Sequence, residues 1–334
     1  MATIKEVAVR AGASIGTVSN VLSGLPTVGP TLRRRVEKAI RELHYSPNHV
    51  ARSLKTRQSR MIGMVVSDIT NPFFPEMVRG AEDAALERGY LLTTFNSDDD
   101  LERERRAVDV IRQRRMDGLL MVVALSHGEG SHLRAVMEAG IPMVCLDRIP
   151  EGIASDTVTI DNTAAAAEAV RHLIAQGHKR IGYIGGRRNM YIGLERRRGY
   201  LNAMREAGRK PEALEGDFRR ESGHSLALRM FQAVSHPSAV FVGNLQMTLG
   251  VLQALEELSR RVPQDVAVAT FDHFEWLDAF RPRLTAVVQP AYEMGSRGAH
   301  LLIDRIERVC ADTAPVRIEL KTVLRKAESS NRKV

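Results

Sequence analysis

The sequence predicts an α/β protein, with a small helix-turn-helix head joined to a two-lobed body of parallel sheets. Three observations carry this. The formal net charge of +8 sits in residues 1–60, where eleven Lys and Arg stand against three acids, and the rest of the chain balances at 37 of each sign. Those sixty residues also carry helical periodicity, caps and a turn, which a solubilising tail would lack. From residue 61 onward, short apolar runs alternate with amphipathic helices in two successive series, the pattern of parallel sheets covered on both faces. Positive charge gathered in one folded module points to phosphate neutralisation on a nucleic acid.

Within the head, Thr3 caps a helix from Ile4 with Glu6 in its first turn, and Ile4, Val7, Ala8 and Ala11 form its inward face. Gly12 supplies a turn, and Ser14 caps a second helix over residues 15–22. There Val18, Val21 and Leu22 face inward, while Ile15, Gly16, Thr17, Ser19 and Asn20 face out. After a break at residues 23–30, Thr31 is expected to cap a third helix through Leu43, with Val36, Ile40 and Leu43 buried and Arg33, Arg34, Lys38 and Arg41 solvated. Two short helices around a Gly-containing turn, braced by a third, form a helix-turn-helix whose second helix enters the major groove.

The stretches TIKEVAVRAGASIGTVSNVLSG and VEKAIRELHYSPNHVARSLKT closely resemble the DNA-binding head and hinge of the LacI/GalR family of bacterial transcription regulators. NPFFPEMVRGAEDAALERGY, RIGYIGG and PRLTAVVQP match further family segments in order, so the resemblance spans essentially the whole chain. It implies a periplasmic-binding-protein-like body. It also makes Ile15, Gly16 and Asn20 the main base readers and Thr17 and Ser19 phosphate anchors, with the caps Thr3 and Ser14 on the same DNA-facing side. Family members often have Arg where this chain has Asn20; Asn suits adenine or a water-mediated contact, and Gly16 offers no side chain, so the operator half-site is expected to depart from the common pattern. Residues 47–56 resemble the hinge helix, with Asn48 as N-cap, Ala51 permitting close approach of two such helices, Lys55 adding charge and Leu54 wedging into a base step from the minor groove. A helix this short is marginal alone and should fold only against its twin and DNA.

In the body, MIGMVVS, YLLTTF, GLLMVV and PMVCLD read as strands, with helices near 75–88, 101–115 and 131–139. RIGYIG, SAVFVG and VAVATF form the second series, with helices near 164–176, 195–207, 223–234 and 247–260. The strand AVVQP, a helix over 292–309 and a strand over 317–323 are expected to cross back between lobes. The resulting division is a helix-turn-helix domain at 1–46, a hinge at 47–60 and an effector-binding domain at 61–334. Lobe one takes about 61–160 and 291–320, and lobe two about 161–290 and 321–330.

Parallel sheets open their clefts at strand C-termini, so polar residues there are candidates for ligand contact. Phe73 and Phe74 follow the first strand and resemble the family's aromatic contact. Asp147 and Arg148 end PMVCLD, and Asp161 lies near the crossing into lobe two. The resemblance makes Arg196 an effector-clamping arginine, Phe218 an aromatic wall and Asp272 an acid that accepts hydroxyls or amines; Trp276 could cover the pocket. Carboxylates and Arg make charge-assisted bonds to hydroxyls while aromatic faces stack on C–H surfaces, so a carbohydrate-derived effector is expected. Arg187, Arg188, Arg196, Arg197 and Arg198 lean this toward a sugar acid or sugar phosphate, and Leu245 stands where the family usually has Asp.

Catalysis is not expected. There is no G-x-G-x-x-G after a strand, no phosphate loop and no H-E-x-x-H pair, and Cys145 lies in an apolar strand. The histidines lack metal-ligand spacing, so no metal or cofactor is implied. Two distant cysteines suit a reducing compartment, and no run of about 18 apolar residues marks a membrane span or signal peptide. The expectation is a homodimeric, cytoplasmic, nucleoid-associated repressor that binds a pseudo-palindromic double-stranded operator under effector control, with no membrane partner. The alternative is a cytosolic sugar-binding sensor acting independently of DNA. The C-terminus AESSNRKV has no heptad pattern for a tetramerising coil.

Overall fold

The computed structural model describes residues 2–22, 26–45, 58–124, 130–308 and 314–331. The chain divides into two compact units, Met1–Ser59 and Arg60–Val334.

The first unit holds α1 (Ile4–Ala11), α2 (Ile15–Leu22) and α3 (Pro30–Glu42). Thr3 and Glu6 close a reciprocal cap: the Glu6 amide donates to Thr3 Oγ1, and the Thr3 amide to Glu6 Oε2 at 2.8 Å. Gly12 ends α1 at φ +58°, a left-handed conformation that glycine adopts without a Cβ penalty. Ser14 Oγ accepts from the Thr17 amide at 3.1 Å and caps α2. In the third helix Gly29 is the N-cap and Pro30 occupies the first turn, so Thr31 does not cap it. Proline's fixed φ and missing donor suit that first turn. Val7, Ala8, Ala11, Val18, Val21, Val28, Val36 and Ala39 form the core, and Ile4, Leu22, Ile40 and Leu43 pack around it only partly buried.

The second unit contains two six-stranded sheets. Lobe one is built on β1 (Met61–Val66), β2 (Leu91–Asn96), β3 (Gly118–Met121), β4 (Met143–Leu146), β5 (Asp156–Ile160) and β11 (Arg317–Leu320), in the order β11-β5-β4-β3-β1-β2 and parallel throughout. Its helices are α4 (Phe73–Glu87), α5 (Leu101–Gln113), α6 (Ser131–Glu138) and α11 (Ala291–Ile306). Lobe two is built on β6 (Ile181–Gly185), β7 (Glu212–Glu215), β8 (Ala239–Val242), β9 (Ala267–Phe271), β10 (Thr285–Val288) and β12 (Val323–Arg325), in the order β12-β10-β9-β8-β6-β7, and only β12 runs antiparallel. Its helices are α7 (Asn162–Ala175), α8 (Tyr191–Glu206), α9 (Arg220–Phe231) and α10 (Leu245–Glu257). The chain passes between sheets after β5, after β10 and between β11 and β12.

Several boundaries differ from the sequence expectation. The single strand expected over 317–323 is two strands in different sheets. β5 and β7 were not legible. In β5 the polar residues Asp156, Thr157 and Thr159 are buried, and Arg305 on α11 compensates the Asp156 carboxylate with two hydrogen bonds at 2.8 Å. Helices α4, α7, α8, α9 and α10 begin two to four residues earlier than expected. Strand-end residues such as Asp161 and Asn244 cap α7 and α10, so those helices start directly at the sheet edge.

Candidate ligand cavity and nucleic-acid interface

Both sheets place the C-terminal ends of their strands around one cavity of about 730 Å³ within the second unit. Lobe one supplies Phe73 and Phe74 from the first turn of α4 and Asp147 and Arg148 from the end of β4. Lobe two supplies Arg196 from α8, Phe218 after β7 and Asp272 after β9. Asn71, Asn244 and Gln289 also line it. These three also sit at strand ends or just beyond, a signal that applied to them as much as to the residues singled out.

The polar groups are held rigidly. Arg148 is 3% exposed; its Nη1 donates to Asp99 Oδ1 at 2.5 Å and to the Val123 carbonyl at 3.0 Å, and its Nη2 to Ser67 Oγ at 3.1 Å. Arg196, 2% exposed, donates from Nε to Asn162 Oδ1 at 2.8 Å and from Nη1 to the Gly243 carbonyl at 2.7 Å, with its guanidinium 3.8 Å over the Phe271 ring. Asp272 accepts from Gln289 Nε2 at 2.6 Å. Asp147, Asp272 and Phe218 all have left-handed backbone, with φ of 63°, 72° and 69°. Strain of this kind persists where surrounding structure fixes a side chain's aim.

Burial pushes the Asp147 carboxyl above its ordinary range against the pull of Arg148 and Arg196, and does the same to Asp272 against Arg196 and Gln289. Burial also lowers Arg196, opposed by the two aspartates, whereas Asp99 and Asp147 outweigh burial at Arg148 and hold it up. Asp147 Oδ1 and Gln289 Oε1 are buried acceptors with no hydrogen-bond partner. Such groups are costly unless a ligand or an ordered water satisfies them. Two carboxylates facing two guanidiniums, flanked by aromatic rings, can grip a polyhydroxylated ligand from both sides.

Two candidates fall outside the cavity lining. Asp161 is the N-cap of α7 and accepts from the Ala164 amide at 2.8 Å. Trp276 is 47% exposed on a 3-10 turn and packs edge-on against Phe280, so it does not cover the cavity. The arginine cluster also disperses. Arg188 pairs with Glu215 and Arg198 with Glu195, and of the five only Arg187 and Arg196 reach the cavity. Cys145 is fully buried and its thiol is pushed up to about 12 by burial, the state of an inert core thiol.

In the first unit, Ile15 is 45% exposed at the start of α2. A Cβ built on Gly16 would meet nothing closer than Ser14 Oγ at 3.7 Å, so this side of α2 is open. Thr17 and Ser14 share a hydroxyl contact at 2.9 Å, and Ser19 and Asn20 are half-buried. Thr3 is exposed. Arg10 and Lys38 pair with Glu42. Arg35 donates to the Ala11 carbonyl at 2.6 Å. Asn48, Ala51, Leu54 and Lys55 lie outside the described residues.

Residues 3–48 match the bacterial regulatory proteins of the lacI family, and residues 170–327 match a periplasmic binding protein-like domain. The ribose operon repressor of Escherichia coli (strain K12) is 38% identical over 311 residues, covering 92% of this chain and 93% of that protein. The chain belongs to the LacI family. Two solved LacI-type structures align along its length. A transcriptional regulator CelR–cellobiose complex is 34% identical at a TM-score of 0.73, covering 98% of this chain and all of the other. A lac repressor dimer bound to operator and the anti-inducer ONPF is 25% identical at a TM-score of 0.85, covering 98% and 99%. This LacI-family chain is a DNA-binding transcriptional repressor regulated by a small-molecule effector, and not an enzyme. No helix among the described residues is long and apolar enough to cross a membrane.

Proposed function

We propose that this repressor responds to a neutral monosaccharide of the pentose class, with D-ribose as the first candidate. The observation that carries this is the paired set of buried groups from opposite lobes: Asp147 and Arg148 facing Arg196 and Asp272, with unpartnered acceptor atoms on Asp147 and Gln289. Carboxylates accept sugar hydroxyls, guanidiniums donate to hydroxyl and ring oxygens, and Phe73, Phe74 and Phe218 offer C–H contact. The ribose operon repressor's similarity supports a ribose-class ligand. The buried charges balance, Arg148 and Arg196 against Asp147 and Asp272, while Arg187 is an exposed part of the lining. This favours a neutral sugar over the sugar acid that the arginine cluster had suggested.

Asn71, Phe73, Phe74, Asp147, Arg148, Arg196, Phe218, Asn244, Asp272 and Gln289 contact effector, and Asp161 and Trp276 do not. Ile15, Gly16 and Asn20 read bases; Thr3, Ser14, Thr17 and Ser19 anchor phosphates. Residues 1–46 form the DNA-binding domain, 47–60 the hinge carrying Asn48, Ala51, Leu54 and Lys55, and 61–334 the effector domain. The working form is a homodimer on a pseudo-palindromic operator in the cytoplasm, at the nucleoid; the dimeric lac repressor bound to its operator supports that assembly.

A ligand that binds the native state raises its apparent stability. D-Ribose should therefore raise the melting temperature of the protein in a concentration-dependent way, cellobiose and ribose 5-phosphate less, and Asp272→Asn should remove the ribose response. A response to cellobiose alone would overturn the pentose assignment. An unchanged ribose response in Asp272→Asn would move the site elsewhere. Operator titrations with and without D-ribose then read the sign of the coupling.

A further inference from the structure

Helix α5 is densely charged, yet its Glu104 is 1% exposed. The carboxylate is fully engaged on the protein side. Oε2 accepts from the Ala124 amide at 2.5 Å, and Oε1 lies 2.5 Å from Nε2 of His132, whose side chain is 8% exposed at the start of α6. Burying a carboxylate is costly unless it is paired and hydrogen-bonded, so this group is held for its bonds and not for its packing.

The peptide it grips has a second partner. The Ala124 N–H and the Val123 C=O belong to one planar peptide group just beyond β3, and the Val123 carbonyl accepts from Arg148 Nη1 at 3.0 Å. Glu104 therefore holds one end of a rigid unit whose other end holds the cavity arginine. Withdrawal of the amide proton toward a carboxylate also makes the carbonyl a better acceptor, since hydrogen bonds in series strengthen one another in a low-dielectric interior. The other two anchors of Arg148, Ser67 and Asp99, lie on loops beyond β1 and β2.

We propose that Glu104, oriented by His132, is a positioning residue for effector recognition: through the Val123–Ala124 peptide it fixes the aim of Arg148. The residue does not line the cavity. This inference rests on the reading of the cavity as the effector site, and the experiment separates the two.

Glu104→Ala, Glu104→Gln, Arg148→Lys and the double variant Glu104→Ala/Arg148→Lys are compared in the full-length protein by calorimetric titration with D-ribose, with melting temperatures checked for folding. Glu104→Ala should weaken ribose binding about tenfold, the equivalent of one charge-assisted hydrogen bond. Glu104→Gln, which keeps an acceptor for the Ala124 amide, should restore most of it. The Glu104→Ala and Arg148→Lys losses should be strongly non-additive in the double variant, whereas a merely structural role for Glu104 would give additive losses and sink the proposal. Arg148→Lys binding ribose like the wild type would instead remove the effector-site reading. A ligand-free readout then still tests Glu104. In protein labelled with 15N-arginine, the Arg148 guanidinium protons, assigned by their loss in Arg148→Lys, should exchange faster with solvent in Glu104→Ala and not in Glu104→Gln. Unchanged exchange in Glu104→Ala would overturn the inference.

Discussion

Arg35, exposed on α3, ties a head cation to the end of α1. From α3 its Nη2 reaches the Ala11 carbonyl at 2.6 Å, where the C-terminal end of α1 favours positive charge. A Cβ on Gly12 would come within 2.4 Å of that nitrogen, so Gly12 serves both the turn and the clearance for Arg35. Arg35 thereby braces the turn that sets the direction of α2. Arg35→Ala should weaken specific operator binding about tenfold, the scale of one charged hydrogen bond, and leave random-sequence DNA binding nearly unchanged. The slope of log affinity against log salt should also be unchanged. A slope shallower by about 0.9 would mean that Arg35 neutralises a phosphate instead. At the same scale, Asp147, Phe218 and Asp272 hold left-handed backbone at the cavity, where the chain turns sharply off a strand and the side chain must point into the cleft.

At the scale of elements, α4 and α11 of lobe one cross with their backbones in near contact. A Cβ on Gly295 would lie 1.9 Å from the Met77 carbonyl oxygen, and one on Gly80 would lie 2.0 Å from the Tyr292 carbonyl oxygen. Each helix supplies the glycine that admits the other's backbone. Gly295→Ala must push the helices apart and open the packing of Met77, Ala81, Met294 and Leu302. Overpacking of this kind costs about 1–3 kcal/mol, to be seen as a lower urea midpoint for the body. An unchanged midpoint would mean that the crossing can slide at no cost. The hinge element predicted over 47–56 lies outside the described residues, and its folding on DNA belongs with the proposed function.

At the scale of the molecule, cavity residues come from both lobes, Asp147 and Arg148 from one and Arg196 and Asp272 from the other. A ligand touching all four favours one lobe orientation by its differential affinity for it, and by no more. If residues 47–60 act as the proposed hinge, lobe one follows it directly in sequence, and a change in that lobe's orientation would reach the segment leading to the DNA-binding domain. For a twofold dimer with one α2 per subunit, footprinting should show a pseudo-palindrome of two half-sites centred about one helical turn apart. Protection of a single asymmetric half-site by a monomer would rule that arrangement out.

The sequence by itself determined what local signals can encode. Thr3, Glu6, Gly12 and Ser14 wrote the ends of the first two helices, because caps and left-handed turns are decided within a few residues. The apolar strands announced two sheets. The rule that clefts open at strand C-termini pointed to Asp147 and Arg148, the family resemblance pointed to Arg196, Phe218 and Asp272, and all five line one cavity. Contacts between distant residues decided the remainder. β5 has too many polar residues to read as a buried strand until Arg305, on a helix 149 positions away, neutralises Asp156. Asp161 and Trp276 have the composition of ligand contacts, yet capping claims one and a neighbouring aromatic the other. Glu104 looks like one more solvated charge on α5, and only the tertiary fold brings the Ala124 amide and His132 to its two oxygens. A buried charge is stable only where its partners converge, and that convergence is a property of the folded chain.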